Sequence, residues 1–256
     1  MKQILLFIIS LVFTTLYLQK KGTGIEVEYQ FFIDSDAPIK LFTTLYINNN
    51  VSLYKEKYST REKWDERPSK TGNYEVKTNE DAFEPYYKID HNKKELYFFA
   101  LMIGGSKFFI KDSYNDLRWN VSTDSKQIAG HNCIKATTTY RGRNWVAWFT
   151  PDIPLPFGPW KLHGLPGLIL EAHDTTNEYA IIALKIQPKE NDIFKKDFSS
   201  LIITKNKEPI TLKQFKADYA EAINNISAEL NGEGSGSFTH IPAPRSGLEL
   251  KYEWEE

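Results

Sequence analysis

Apolar and polar residues alternate along most of this chain with the period of a half-buried β-strand. The first such run is 25–33 (IEVEYQFFI). Runs at 41–47 (LFTTLYI) and 51–58 follow, joined by the turn cluster Asn48-Asn49-Asn50. Residues 85–89 and 95–103 predict a hairpin with His91-Asn92-Lys93-Lys94 at its tip. Gly104-Gly105 breaks the pattern; 107–111 resumes it, and 117–121 is a further short strand. After the turn Ala129-Gly130, residues 133–140 and 144–150 predict a hairpin around Arg141-Gly142-Arg143. In its second arm Trp145, Ala147 and Phe149 share one face, and Val146 and Trp148 the other, so this strand is expected to be covered on both sides. Pro151, Pro154, Pro156 and Pro159 then stop any ladder, because proline has no N–H to donate. Residues 168–173 resume as a strand, 174–177 turn, and 179–186 return.

The period changes once. Leu212, Phe215, Tyr219, Ile223, Ile226 and Leu230 recur at helical spacing and predict a helix over 212–230 with one apolar stripe. Thr211 and Gln214 have the spacing of a capping box, and Gly232 stands where a C-terminal stop belongs. Lys213 and Lys216 near its start and Glu229 near its end oppose the helix dipole, so docking on the sheet must hold it. The polar stretch 59–81 reads as a mobile loop, and GEGSGS at 232–237 as a flexible linker. Residues 248–256 alternate but are rich in Glu, which fits either an edge strand or a loose tail. The resulting layout is a signal peptide over 1–22, one mainly-β domain over 23–231 with its late helix, and a linker and tail over 232–256. The expected fold is mainly β: a large curved antiparallel sheet, half-barrel or sandwich-like, with one C-terminal amphipathic helix packed on it.

Composition narrows the function classes. With 256 residues, 41% hydrophobic and 14% aromatic, the chain can bury one large core. Its 32 basic and 33 acidic residues give a net charge of −1, which offers no field for nucleic acid or acidic lipid. Lys2 followed by the apolar run 4–18 reads as an export signal. That run is too short to span a bilayer as a helix, and no other segment is apolar enough to do so. The cleavage point falls loosely over 18–22, and no cysteine near it offers lipid attachment. Cys133 is the single cysteine, so an exported chain has no internal disulfide and depends on its core.

One block, 133–174, carries the most information: CIKATTTYRGRNWVAWFTPDIPLPFGPWKLHGLPGLILEAHD. Its hexapeptide Gly164-Leu165-Pro166-Gly167-Leu168-Ile169 resembles the signature of the GLPGLI family, exported proteins of unknown function from Gram-negative bacteria. Gly130, Cys133, Lys135, Ala136, Arg141-Gly142-Arg143, Ala147-Trp148-Phe149-Thr150, Ile153-Pro154, Gly158-Pro159 and 164–171 follow the family pattern in order. His131 stands where that pattern has an aromatic, often Tyr. The resemblance implies an envelope location and a mostly antiparallel sheet. It implies no reaction, because no catalytic residues are established for the family. The curved half-barrels of periplasmic lipoprotein carriers supply an analogy at the level of fold alone.

The block admits two physical readings. In one, Gly164, Pro166 and Gly167 shape a rigid crossing that seats Leu165, Leu168 and Ile169 in the core. In the other, Trp148, Phe157, Trp160 and Leu165 form a binding rim offered to an apolar ligand. Arg141 and Arg143 flank a turn glycine; they either clasp a carboxylate or phosphate or form a solvated hairpin tip. Cys133 and His131, two apart on a strand, have the order of a nucleophile and base, but no acid or oxyanion element is tied to them. Glu171 is the one acid in the apolar run, and spacing leaves open whether it faces solvent, pairs, or acts. Cys133, His131, His163 and His173 show no metal-ligand spacing, and no cofactor is implied. Two function classes follow. One is a non-enzymatic binding or assembly module for an apolar ligand or an envelope protein partner. The alternative is an envelope hydrolase using Cys133 or Glu171.

Overall fold

Alternation becomes hairpins. The computed structural model describes residues 23–35, 38–63, 86–102, 105–190, 208–232, 245 and 247–255. The expected signal peptide, most of the polar stretch 59–81 and the linker beyond Gly232 lie outside them. The strands are β1 (Thr23–Ile33), β2 (Ile39–Asn48), β3 (Val51–Lys63), β4 (Tyr86–Asp90), β5 (Glu95–Leu101) and β6 (Lys107–Asp112). They continue with β7 (Asn120–Ile128), β8 (His131–Tyr140), β9 (Arg143–Thr150), β10 (Leu168–Asp174), β11 (Tyr179–Glu190) and β12 (Ile210–Thr211). Among the described residues one helix, α1 (Leu212–Gly232), follows.

These strands form a single 12-stranded sheet in the order β12-β6-β5-β4-β3-β2-β1-β11-β10-β9-β8-β7. The sheet is curved, open and, as expected, almost wholly antiparallel. The exception is the short β12, which runs parallel to β6. The turns that set the registers are tight. Ala129-Gly130 and Arg141-Gly142 both have positive φ (48° and 81°; 46° and 81°), the mirror-image turn geometry that matches strand twist. β1 carries its apolar set in register with both neighbours: Val27 opposes Leu45 on β2 and Ile186 on β11.

One face of the sheet carries the core. Val27, Tyr29, Leu45, Trp145, Ala147 and Phe149 are buried there at 2% exposure or less. The segment between β9 and β10 lies against this face and contributes Phe157, Trp160, Leu162 and Leu165 to the same cluster. Each such side chain contributes roughly 1.5–3 kcal/mol on burial. A second cluster gathers Ile89, Leu96, Phe98 and Ile110 under α1, which supplies Leu212 and Phe215, with Tyr252 from the C-terminal segment.

Five expectations need correction. The strand expected at 117–121 is β7 at Asn120–Ile128, and 113–119 is irregular. β7 is an edge strand with almost every residue exposed, so it needs no apolar alternation and gave no signal. Residues 59–63 extend β3 rather than opening a loop. The apolar stripe of α1 is covered only over its first turns: Leu212 and Phe215 are buried, whereas Tyr219 and Ile226 are exposed. Its capping box is half formed. Thr211 Oγ1 accepts the Gln214 N–H at 3.1 Å, but the Gln214 side chain turns to Asp218. Last, 247–255 is neither strand nor loose tail. It forms no ladder among the described residues, yet Tyr252 is buried.

Candidate functional site

The proline-rich crossing is held by its own backbone. Leu155 N–H donates to the Ile153 carbonyl (2.7 Å), Phe157 N–H to Leu155 (2.8 Å), and Gly164 N–H to Pro156 (3.0 Å). Ile169 N–H then donates to the Phe157 carbonyl (3.0 Å), and the Tyr29 hydroxyl reaches across the core to the Ile169 carbonyl (2.7 Å). Gly164 has φ +91°, and Trp160 also has positive φ. Gly167 is required for a different reason: a Cβ there would lie 2.2 Å from the Thr150 carbonyl oxygen. It therefore permits a close backbone approach of β10 to β9 rather than a special φ.

This geometry places the rim candidates inside the protein. Phe157, Trp160 and Leu165 are 1–2% exposed, with Trp160 against Tyr140 and Trp145 at ring separations of 5.7 and 5.6 Å. Of the hexapeptide, Leu165, Gly167, Leu168 and Ile169 are buried, and Gly164 and Pro166 are exposed. Trp148 alone is half-buried, with Lys126 Nζ 4.4 Å over its ring.

The solvated hairpin tip is also corrected. The Arg141 side chain is 1% exposed and forks onto Asp112 (2.8 and 2.7 Å), Glu249 (2.5 Å) and Glu253 (2.9 and 3.2 Å). Lys161, buried in the crossing, reaches the same Asp112 and Glu249 carboxylates at 2.6 Å each, and lies 4.6 Å over the Phe98 ring. Burial pushes the Asp112 carboxyl up, but Lys161 and Arg141 outweigh it and hold it below the usual carboxylate range. Burial likewise works against the Arg141 charge, and hydrogen bonding to Asp112 with the surrounding carboxylates more than offsets it. Arg143 makes a parallel clasp on Asp174 (2.7 Å) and Glu178 (2.8 Å), with Nε donating to the Gly247 carbonyl (2.7 Å). Both arginines thus clasp carboxylates, and the chain itself supplies them. A shallow groove of about 260 Å³, lined by Arg141, Gly142, Lys251, Tyr252 and Glu253, opens beside the first clasp.

The candidate reactive groups sit elsewhere. Cys133 is fully buried, and burial first, then the Asp152 charge, pushes its thiol up to about 11. Its Sγ contacts the His131 backbone carbonyl (3.7 Å), while the His131 ring faces Asp152 at 3.6 Å. Glu171 takes the Lys126 ammonium on both oxygens at 2.7 Å, with His173 at 3.4 Å. Burial raises its carboxyl, but these two partners hold it below the usual range. Among the described residues no group of three His, Cys, Asp or Glu side chains could hold a metal ion.

Two features escaped sequence reasoning. The acidic side of the Arg141 clasp comes from Asp112, at the end of β6, and from the C-terminal segment; no spacing links them. His91, His163, Tyr114 and Phe157 form a ring cluster. His91 packs edge-on against Phe157 (4.4 Å) and His163 (5.2 Å) and bonds the Tyr114 hydroxyl through Nδ1 (2.8 Å).

A family model described as "Protein of unknown function (Porph_ging)" matches residues 140–171, from the Arg141 turn through the crossing to Glu171. The block thus carries the signature of an uncharacterised family. No curated protein matches the chain. Among solved structures, PNGF-II in its P21 space group is similar with TM-score 0.51 and 18% identity, over 78% of this chain and 34% of that one. Its C2 form gives 0.50 and 19%, over 77% and 32%. An uncharacterized conserved protein from Thermus thermophilus gives 0.35 and 7%, over 70% and 86%. The chain spans about a third of the length of PNGF-II, and at this identity the likeness shows the fold.

Proposed function

We propose that this protein is a non-enzymatic module of the bacterial cell envelope that binds a protein partner. The observation that carries the reading is the filled core face. An apolar-ligand carrier needs a hollow of several hundred Å³ (roughly 300–1,000 Å³) lined by apolar side chains. Here the crossing sets Phe157, Trp160, Leu162 and Leu165 against that face, each buried at 2% or less. The hydrolase alternative draws no support from its two candidate groups, since the Cys133 thiol is buried and raised and Glu171 is paired with Lys126 and His173. The envelope location rests on Lys2 and the apolar run 4–18.

The test combines native mass spectrometry of protein extracted from the periplasm without detergent with photo-crosslinking in cells. Native mass spectrometry should give the bare chain mass, and photo-crosslinking in cells should give a discrete protein adduct. A co-purifying apolar cargo would overturn the reading in favour of a carrier, and the absence of an adduct from every surface position tried would overturn it outright.

A further inference from the structure

The charge count at the β8–β9 turn does not close within the sheet. Arg141 and Lys161 are each 1% exposed, and Asp112 is the sheet carboxylate that meets both. One buried negative charge therefore faces two buried positive ones. The second negative charge comes from Glu249, 14% exposed, which takes both cations at 2.5 and 2.6 Å. Glu253 adds a contact to Arg141 at 2.9 Å. The N–H groups of Leu250 and Lys251 donate to the Arg141 carbonyl at 2.8 and 3.0 Å. Tyr252 is buried beneath, its ring stacked on Trp254 at 4.7 Å and lying 5.3 Å from the Arg141 guanidinium. Residues 247–255 are thus seated by carboxylates, an aromatic ring and two backbone donors, without a strand ladder. In the sequence they follow the Gly- and Ser-rich stretch 232–237.

We propose that this seat is a receptor for an acidic, aromatic peptide segment of a partner protein, and that residues 247–255 are its built-in stand-in. The proposal deepens the partner-binding reading and rests on it. The chemistry recognised is that of Glu249-Leu250-Lys251-Tyr252-Glu253: two carboxylates four residues apart, with an aromatic ring just before the second. Charge sets the sign of the occupant. With the stand-in lifted, Arg141 and Lys161 face Asp112 alone, and an anionic segment restores the balance. Arginine's planar fork matches carboxylates in two-point geometry, which fixes the occupant's orientation as well as its charge. The groove between Arg141-Gly142 and the stand-in's own Lys251, Tyr252 and Glu253 marks the seam along which the segment parts from the turn. Because the stand-in is covalently attached, an incoming segment must compete with it. A partner succeeds by displacing it.

The probe is a fluorescent peptide of residues 245–256 (RSGLELKYEWEE). The receptor is the full chain with a protease site placed in 232–237 and cut after folding, so that every residue is still present. The labelled peptide should enter the cut chain saturably, at least tenfold more tightly than the uncut chain. A peptide carrying Glu249→Gln and Glu253→Gln should lose at least tenfold. Equal binding of the acidic and the amide peptide overturns the proposal, as does a cut chain that keeps its near-ultraviolet circular dichroism and takes up no peptide. If cutting unfolds the protein, the uncut chain carrying Glu249→Gln and Glu253→Gln decides. It should take the acidic peptide at least tenfold more tightly than wild type, and equal affinities overturn the proposal. Crosslinking in cells from Val121 on the β7 edge separates the two readings. A partner adduct there without peptide exchange leaves the module standing and removes this seat.

Discussion

Arg141 and Glu249, 108 residues apart in the chain, meet at 2.5 Å with the arginine side chain 1% exposed. That contact closes a loop of structure from the β8–β9 turn to the C-terminal segment. Arg141 sits at φ 46°, a left-handed conformation that costs a non-glycine residue roughly 1–2 kcal/mol. The two-residue turn imposes it, as it does at Ala129, and from there the guanidinium reaches Asp112, Glu249 and Glu253 at once.

Arg141→Ala should therefore destabilise the fold by about 3–5 kcal/mol, the usual cost of removing one partner from a buried ion cluster. Lys161 would be left to satisfy Asp112 and Glu249, and Glu253 would keep only the Asn115 amide. Equilibrium unfolding in urea measures it. Arg141→Lys should recover part of the loss, since it keeps the charge but not the fork. A change within about 0.5 kcal/mol, the ordinary range for surface substitutions, would sink the buried-clasp description.

Gly167→Ala tests the crossing. The added carbon would meet the Thr150 carbonyl oxygen at 2.2 Å and the Phe149 ring at 3.0 Å. The first obstacle is backbone in a paired strand, so β10 must shift from β9. Overpacking of this kind costs typically about 1–3 kcal/mol. Gly164→Ala makes the comparison: its nearest neighbour is Trp119 Nε1 at 3.9 Å, so only the +91° φ is strained. The Gly167 variant should melt lower than the Gly164 variant, and the reverse order would refute the close-approach argument.

The sheet was readable because its signal is local. Val27, Tyr29 and Phe31 alternate with polar residues, and the turns at Asn49, Gly130, Gly142 and Asn177 carry Asn or Gly where the backbone takes positive φ. β7 was misplaced because an exposed edge imposes no alternation on Val121 or its neighbours. The hexapeptide was readable as a crossing, but the reason for Gly167 was not, since close approach to Thr150 is a tertiary fact. The clasp was invisible for the same reason. Arg141 looks like a solvated turn residue until the fold brings Asp112 and Glu249 to it, and both are remote in sequence.

Cys133 should be chemically silent in the folded protein. Its thiol, pushed up to about 11 by burial, would be about one part in a thousand thiolate at pH 8, against roughly a quarter for a free cysteine near pKa 8.5. Ionisation alone then slows reaction with a disulfide dye by about two-hundredfold, and complete burial adds to that. Stopped-flow labelling with and without denaturant measures the ratio. Native labelling within tenfold of the unfolded rate would show an accessible, activated thiol and would revive the hydrolase alternative.

Acid should weaken the fold in two separate windows. Burial first, then the neighbouring His163, pushes His91 down to about 4 from an ordinary 6.5, with Asp90 opposing. Between those values the unfolded chain binds a proton that the folded chain refuses, so stability falls as pH drops from 6.5 to about 4 and the His91 contribution then levels off. Asp112 and Glu171 act with the same sign in a lower window, here because the fold favours their charged form. Their folded carboxyls lie below the ordinary range, so their stabilisation is complete above the unfolded value and is lost as pH falls further, through the folded one. Melting temperatures from pH 7 to 3 should thus decline in two steps. His91→Asn, which keeps a hydrogen-bonding group beside the Tyr114 hydroxyl, should flatten the upper step and leave the lower one. What remains of the upper step belongs to His163, also held low by burial. An unchanged upper step in the variant would mean that the His91 ring is not the group resisting protonation.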